Sequence, residues 1–231
     1  MRKTTLMILA LTALASRPSK AQMRLVNETH RGNGCPVNSV AFATSPDGQA
    51  VSVLYQNFSV QLPDPNQGQI PGSTVRRRFD PFRLNRGCNL SFDIELSAGV
   101  AVESLEVSIF NRGAAIMDAG VRGSVSTTFL GYSSFGGRVA PQSVTLQNKA
   151  WSGAVNDDWI SNPVVTVPIR SACASASART MRFDMLSAID AQIVSGNPRA
   201  QALITMDSSD VNGSMKIRVI TRPCGGRSAP R

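Results

Sequence analysis

Leu90-Ser91-Phe92-Asp93-Ile94-Glu95-Leu96-Ser97 alternates one apolar side chain with one polar side chain throughout. Successive side chains of a strand point to opposite faces, so this pattern reads as a β-strand with one face buried and one face wet. Leu90, Phe92, Ile94 and Leu96 are the expected inward row. The same period recurs in Val51, Val53 and Tyr55, in Leu105, Val107 and Ile109, and in Val125, Thr127 and Phe129. It returns in Met181, Phe183 and Met185, and in Met215, Ile217 and Val219. Half-buried strands joined by turns belong to antiparallel sheets. The expected fold is therefore all-β, an antiparallel β-sandwich of jelly-roll-like kind.

Turn chemistry separates these runs. Pro46-Asp47-Gly48 precedes the Val51 run, and Gly136-Gly137 and Gly196-Asn197-Pro198 interrupt later ones. Asn212-Gly213 lies between Ala202–Met206 and Met215–Val219, which predicts a hairpin there. Residues 112–120 and 186–194 are the two places where a short helix is expected. Residues 61–87 hold four prolines and the run Arg76-Arg77-Arg78, and are expected to form one long loop.

The first residues carry a different message. Arg2 and Lys3 precede an apolar run from Leu6 to Ala15, and Ser19-Lys20-Ala21 offers the small side chains that a signal peptidase requires. Residues 1–21 are expected to be a signal peptide, and 22–231 one β-sandwich domain with a flexible tail at 225–231. The apolar run is shorter than the roughly 20 residues that span a bilayer, and no later stretch reads as a membrane span. The formal charge is +9. Arg2, Lys3, Arg17 and Lys20 leave with the leader and no acidic residue does, which lowers it to +5. That surplus comes without a basic helix or an aromatic-basic pattern, so nucleic acid is not expected as a partner. An anionic surface or polymer fits better.

Cys35, Cys88, Cys173 and Cys224 are widely spaced, which rules out CxxC redox or zinc motifs. An even count in an exported chain predicts two disulfides. Four cysteines allow three pairings, and spacing alone leaves all three open. Pairing in sequence order, Cys35–Cys88 with Cys173–Cys224, would staple each half of the chain and is the expected arrangement. Each bridge would close a loop of some fifty residues, worth roughly 4 kcal/mol in the chain-entropy model.

Candidate chemistry is sparse. His30 is the one histidine, so any Ser-His-Asp or Cys-His site would have to use it. No phosphate-binding glycine loop occurs. The notable cluster is Trp151 with Asn156-Asp157-Asp158-Trp159. Exposed Trp rings offer flat apolar area with a polar edge, which suits sugar rings. Trp151, Asp157, Asp158 and Trp159 are therefore the candidate ligand-binding residues. If Asn156, Asp157 and Asp158 lie in a loop, their oxygens suit a calcium ion, whereas the simpler role for such residues is turn capping. Asp207 and Asp210 form a looser acidic pair. Tyr55 and Tyr132 are further aromatic candidates. Sequons stand at Asn27, Asn57, Asn89 and Asn212.

Several short stretches taken together resemble a known family. They are Gly32-Asn33-Gly34-Cys35-Pro36, Ser45-Pro46-Asp47-Gly48, Arg86-Gly87-Cys88-Asn89-Leu90, Gly113 to Gly120, Gly153 with Asp157-Asp158-Trp159, and finally Cys173, Asp207-Ser208 and Cys224. In this order they resemble the domain of unknown function 4360 family of fungi and bacteria, over roughly residues 32–224. The resemblance implies a small, exported, cysteine-paired protein and offers no catalytic residue. The Arg- and Pro-rich stretch around 63–83 is longer than is usual in that family. The resulting expectation is a secreted, non-catalytic binding or structural protein directed at a glycan or cell-envelope polymer. The alternative is a secreted polysaccharide hydrolase that uses two carboxylates.

Overall fold

The computed structural model describes residues 24–44, 51–56, 58–64, 82–96, 99–132, 142–168, 180–207 and 216–224. Every regular element among them is a strand. In chain order these are β1 (Arg24–Arg31), β2 (Val40–Thr44), β3 (Val51–Tyr55), β4 (Ser59–Leu62), β5 (Arg83–Glu95), β6 (Val100–Ser108) and β7 (Asn111–Met117). They continue with β8 (Val121–Tyr132), β9 (Gln142–Ser152), β10 (Val155–Ser161), β11 (Val164–Pro168), β12 (Thr180–Ile193), β13 (Ala202–Thr205) and β14 (Lys216–Pro223). All the ladders are antiparallel.

The strand order identifies the architecture. One sheet runs β1-β5-β12-β8-β9 and a second runs β10-β7-β13-β4. From one side the first reads 5, 12, 8, 9 and the second 4, 13, 7, 10. Each strand of one sheet thus has its nearest neighbour in sequence at the same place in the other, and the chain crosses between sheets at every such step. Packing contacts between β4 and β5, β7 and β8, β9 and β10, and β12 and β13 agree with this. Two four-stranded sheets so interleaved make a jelly roll. Strands β11-β6-β14 form a smaller sheet, and β2 and β3 pair antiparallel with each other.

The alternating rows form the core, as their period requires. Leu90, Phe92, Ile94, Phe129, Phe183 and Ile204 are at most 1% exposed. Phe183 lies 5.4 Å from Phe129 and 5.9 Å from Phe92, ring centre to ring centre. One polar group inside this core is also satisfied: the buried Tyr55 hydroxyl lies 3.2 Å from Ser187 Oγ. Burial pushes the Tyr55 phenol well above its ordinary pKa.

Two of the family-like stretches meet in space. Cys35, in the loop after β1, is bonded to Cys88 of β5. Around that bond Asn33 acts like an extra strand residue. Its side-chain amide donates to the Asn85 carbonyl at 2.8 Å, and its Oδ1 accepts the Gly87 N–H at 2.7 Å. Gly34 N–H donates to the Gly87 carbonyl at 3.0 Å. Gly34 has no room for a side chain, because a Cβ there would run into the Phe58 ring. Cys224 is also disulfide-bonded, while Cys173 lies outside the described residues.

The structure corrects several expectations. The two stretches expected as short helices are the strands β7 and β12. Leu186 and Ala188 place apolar side chains on the outer face of β12, which blurs the two-residue period. Ala202–Thr205 and Lys216–Pro223 do not form a hairpin, since β13 pairs with β4 and β7 while β14 pairs with β6. The expected loop at 61–87 is shorter, because β4 runs to Leu62 and β5 begins at Arg83. The leader at 1–21, the Arg76-Arg77-Arg78 run and the tail at 225–231 lie outside the described residues.

Gly34→Ala should lower stability by about 1–3 kcal/mol through overpacking against Phe58, read as a lower urea midpoint. An unchanged midpoint would show that the loop does not seat on Phe58.

Candidate functional site

Strands β9 and β10 meet where the two sheets pass from one to the other, and the predicted site residues lie here. Register fixes which way each side chain points. On β9, Lys149 is opposite Val125 and Trp151 is opposite Gly123 of β8, in rows that face the other sheet. On β10, Val155, Asp157 and Trp159 form the more buried row, while Asn156, Asp158 and Ile160 are exposed. Lys149, Trp151, Asp157 and Trp159 therefore converge between the sheets.

Their chemistry is self-contained. Trp151 Nε1 donates to Asp157 Oδ2 at 2.7 Å, and Lys149 Nζ donates to the same oxygen at 2.9 Å. The Lys149 ammonium also lies 5.3 Å from the centre of the Trp151 ring, within cation–π range. Trp151 leans on Trp159 with ring centres 6.1 Å apart. The Lys149 ammonium first, and then the Trp151 N–H, hold the Asp157 carboxyl below its usual pKa.

Trp159 is 1% exposed and Trp151 is half-buried, so the rings fill the sandwich edge rather than forming an open platform. Gly113 of β7 lies directly across from Trp159. A Cβ at Gly113 would strike the Trp159 indole at 2.8 Å. Asn156, Asp157 and Asp158, whose oxygens would suit calcium if they lay in a loop, lie on the strand β10. Alternation sends Asp157 inward and its two neighbours outward, so the three oxygens do not converge on one point. Among the described residues no three His, Cys, Asp or Glu side chains gather as a metal site. Tyr55 is core, Asp210 lies outside the described residues, and His30 Nε2 is 3.3 Å from the Pro36 carbonyl.

The open surface lies on the other side of β10. The outer face of the β4-β13-β7-β10 sheet presents three rows in register. Gln61, Leu203, Ile116 and Asn156 cross all four strands. Asp158 pairs with Ala114, and Ile160 with Arg112, which bridges to Asp207. Ile160, Ile116 and Leu203 are 67%, 50% and 37% exposed. Two depressions indent this face. One of about 370 Å³ is lined by Arg112, Asp158, Trp159, Ile160, Thr205 and Asp207. One of about 240 Å³ is lined by residues that include Gln61, Ile116, Asp118, Gln201 and Leu203. Of the four predicted ligand residues, Asp158 and Trp159 reach the larger depression. Arg112, Ile116, Ile160 and Leu203 were not singled out from sequence. The signal was present in the alternation of residues 155–161, which puts Asp158 and Ile160 on one side.

Residues 21–224 match the family model described as "Domain of unknown function (DUF4360)". An uncharacterized secreted protein of Arthroderma benhamiae is 20% identical over 212 residues, which is 90% of this chain and 74% of that one. Among solved structures the chain is similar to TmCBM61 in complex with β-1,4-galactotriose. The identity is 14%, the TM-score 0.28, and the match covers 84% of this chain and 88% of that one. It is also similar to the infectious bursal disease virus Gt strain structure at 12% identity and a TM-score of 0.15, over 95% of this chain and 47% of that one. Among the described residues no helix is long and apolar enough to cross a membrane.

The Asp157 carboxyl is held low in the folded state. Its contribution to stability is therefore present above the unfolded carboxyl pKa of about 4, and is lost as pH falls through the lower folded value. Asp157→Asn should lower the Tm at pH 7, and its deficit against the natural chain should shrink below about pH 4. A deficit independent of pH would mean that the Lys149 pair is not formed. Trp159→Ala should cost about 3–5 kcal/mol, as loss of a large core side chain does, in chemical denaturation.

Proposed function

This chain belongs to the DUF4360 family, a domain of unknown function, and from its own geometry we propose that it is an extracellular, non-catalytic binding protein. The ligand surface is the outer face of β4-β13-β7-β10. One observation carries this reading: a depression of about 370 Å³ in a sheet face that also presents exposed Ile160, Ile116 and Leu203. Exposed apolar side chains rimmed by polar groups mark interaction surfaces. The rim here is Gln61, Asn156, Asp158, Arg112 and Asp207, all able to hydrogen-bond.

That mixture fits a glycan or cell-envelope polymer. A sugar ring has an apolar face that Ile116 and Leu203 can cover, and hydroxyls that the amides, carboxylates and Arg112 can meet. Four adjacent strands span roughly 14 Å at about 4.8 Å per step, enough for more than one sugar. The secreted relative and the disulfides support an extracellular setting. Asp157 and Trp151 take part indirectly, by holding β10 against β9.

A second reading has one observation in its favour. Asp158 of β10 and Asp207, two residues past the end of β13, line the same depression, and two carboxylates flanking one sugar bond are the equipment of a glycosidase. Asp157 and Asp158 cannot serve as that pair, because they face opposite sides of β10.

The test is retention of the oxidised protein on insoluble polysaccharides and soluble glycans, with calcium and with chelator. Binding should fall at least tenfold in Ile116→Ser and Asp158→Ala, both at exposed or rim positions, with unchanged Tm. Retention unaffected by either change would remove this face from the function. Release of reducing sugar, lost in Asp158→Asn and in Asp207→Asn, would replace the binding reading with the hydrolase.

A further inference from the structure

The structure separates the sequons that the proposed function leaves unused. Two of them fall within the described residues, Asn27-Glu28-Thr29 on β1 and Asn89-Leu90-Ser91 on β5. Asn57 and Asn212 lie outside the described residues. An N-glycan is large and polar, so it has to stay at the surface once the chain has folded. The two sites differ in whether they allow that.

Asn27 is placed to carry one. β1 is the outermost strand of its sheet. Its ladder with β5 runs through Val26↔Asp93 and resumes at Thr29↔Ser91. Asn27 and Glu28 together oppose one residue and form a β-bulge, which takes their backbone out of the pairing. Asn27 has φ +58°, in the left-handed region, which Asn tolerates better than most residues. Asn27, Glu28 and Thr29 are all exposed, so both the acceptor amide and the sequon hydroxyl face solvent. The Asn27 amide nitrogen donates to Asp93 Oδ2 at 2.9 Å. A glycosylated amide keeps one N–H, so this bond can survive the modification.

Asn89 is the opposite case. It lies between Arg31 of β1 and Leu186 of β12 in the ladder. Its Oδ1 is wholly enclosed, and Ser91, the sequon hydroxyl, is 5% exposed. Asn89 is half-buried on the outer face of its sheet and flanked by Arg31 and Leu186, so a glycan there would have to displace cross-strand neighbours on both sides.

We propose that Asn27 is an N-glycan acceptor and that Asn89 is not. The reaction is transfer of an oligosaccharide from a lipid-linked pyrophosphate donor. A bond forms between the Asn27 amide nitrogen and the anomeric carbon. The bond from that carbon to the pyrophosphate oxygen breaks. One amide proton is lost, and the lipid pyrophosphate leaves. The secreted relative is fungal, which places a related chain in a pathway where such donors occur. A glycan on the β1 bulge also screens the unpaired backbone of an edge strand, where other strands would otherwise add.

The full precursor would be secreted from a yeast host, and occupancy at each sequon mapped by peptide mass spectrometry after enzymatic glycan release in heavy-oxygen water. The expected result is an occupied Asn27 and an unoccupied Asn89, with one glycan lost in Asn27→Gln. Thr29→Ala keeps Asn27 and its Asp93 contact but destroys the sequon, and should lose the same glycan. Secreted, folded protein with Asn27 bare, or with sugar on Asn89, overturns the proposal.

Discussion

Phe183 lies between Phe92 and Phe129, and the three rings come from the adjacent strands β5, β12 and β8. They fill the centre of one sheet's inner face, and Ile204 and the other buried residues of the facing sheet close over them. Burying a large apolar side chain stabilises by about 1.5–3 kcal/mol each, and aromatic pairs add about 0.5–1.5 kcal/mol. The rest follows from keeping this row dry. Each inward residue fixes its outward neighbours, so the composition of the wet faces is settled once the core row is in place. A slip of one residue in β12 would turn Phe183 out to water and Arg182 into the core. The clasp of Asn33, Gly34 and Cys35 on β5 holds the strand that carries Phe92.

Much of this was legible in the sequence where the chemistry is local. Residues 90–97 alternate without exception, and the buried row came out as read. β12 was harder, because Leu186 and Ala188 on its outer face hid the period and suggested a helix. The jelly-roll order was legible only as a fold class. Which strands pair depends on contacts far apart in sequence, so a turn signal such as Asn212-Gly213 suggested a hairpin between strands that belong to different sheets.

The site shows the same division. Asp157 and Asp158 stand out in the sequence as an adjacent pair, but what they can do together depends on whether the backbone there is loop or strand. In a loop they could act together, whereas on β10 they serve opposite faces. The tryptophans drew notice as sugar platforms. Their burial makes them the filling that sets β9 against β10, and the open face behind them is marked by isoleucine and leucine. Those residues look like ordinary core in a sequence. Only the register shows that Ile116 and Leu203 are neighbours on a wet surface.

Lys149 points inward from β9, the last strand of its sheet. A sheet that ends in an open strand is a template on which a second molecule can continue the ladder, and crowded, freshly exported chains are at risk of doing so. A strand added beside β9 would sit next to an ammonium group and its carboxylate partner and would reduce their access to water. Desolvating charges in that way is costly, and inward-pointing charges on edge strands are a known guard against it. The residue that steadies Asp157 is thus also of the kind that works against edge-to-edge strand addition.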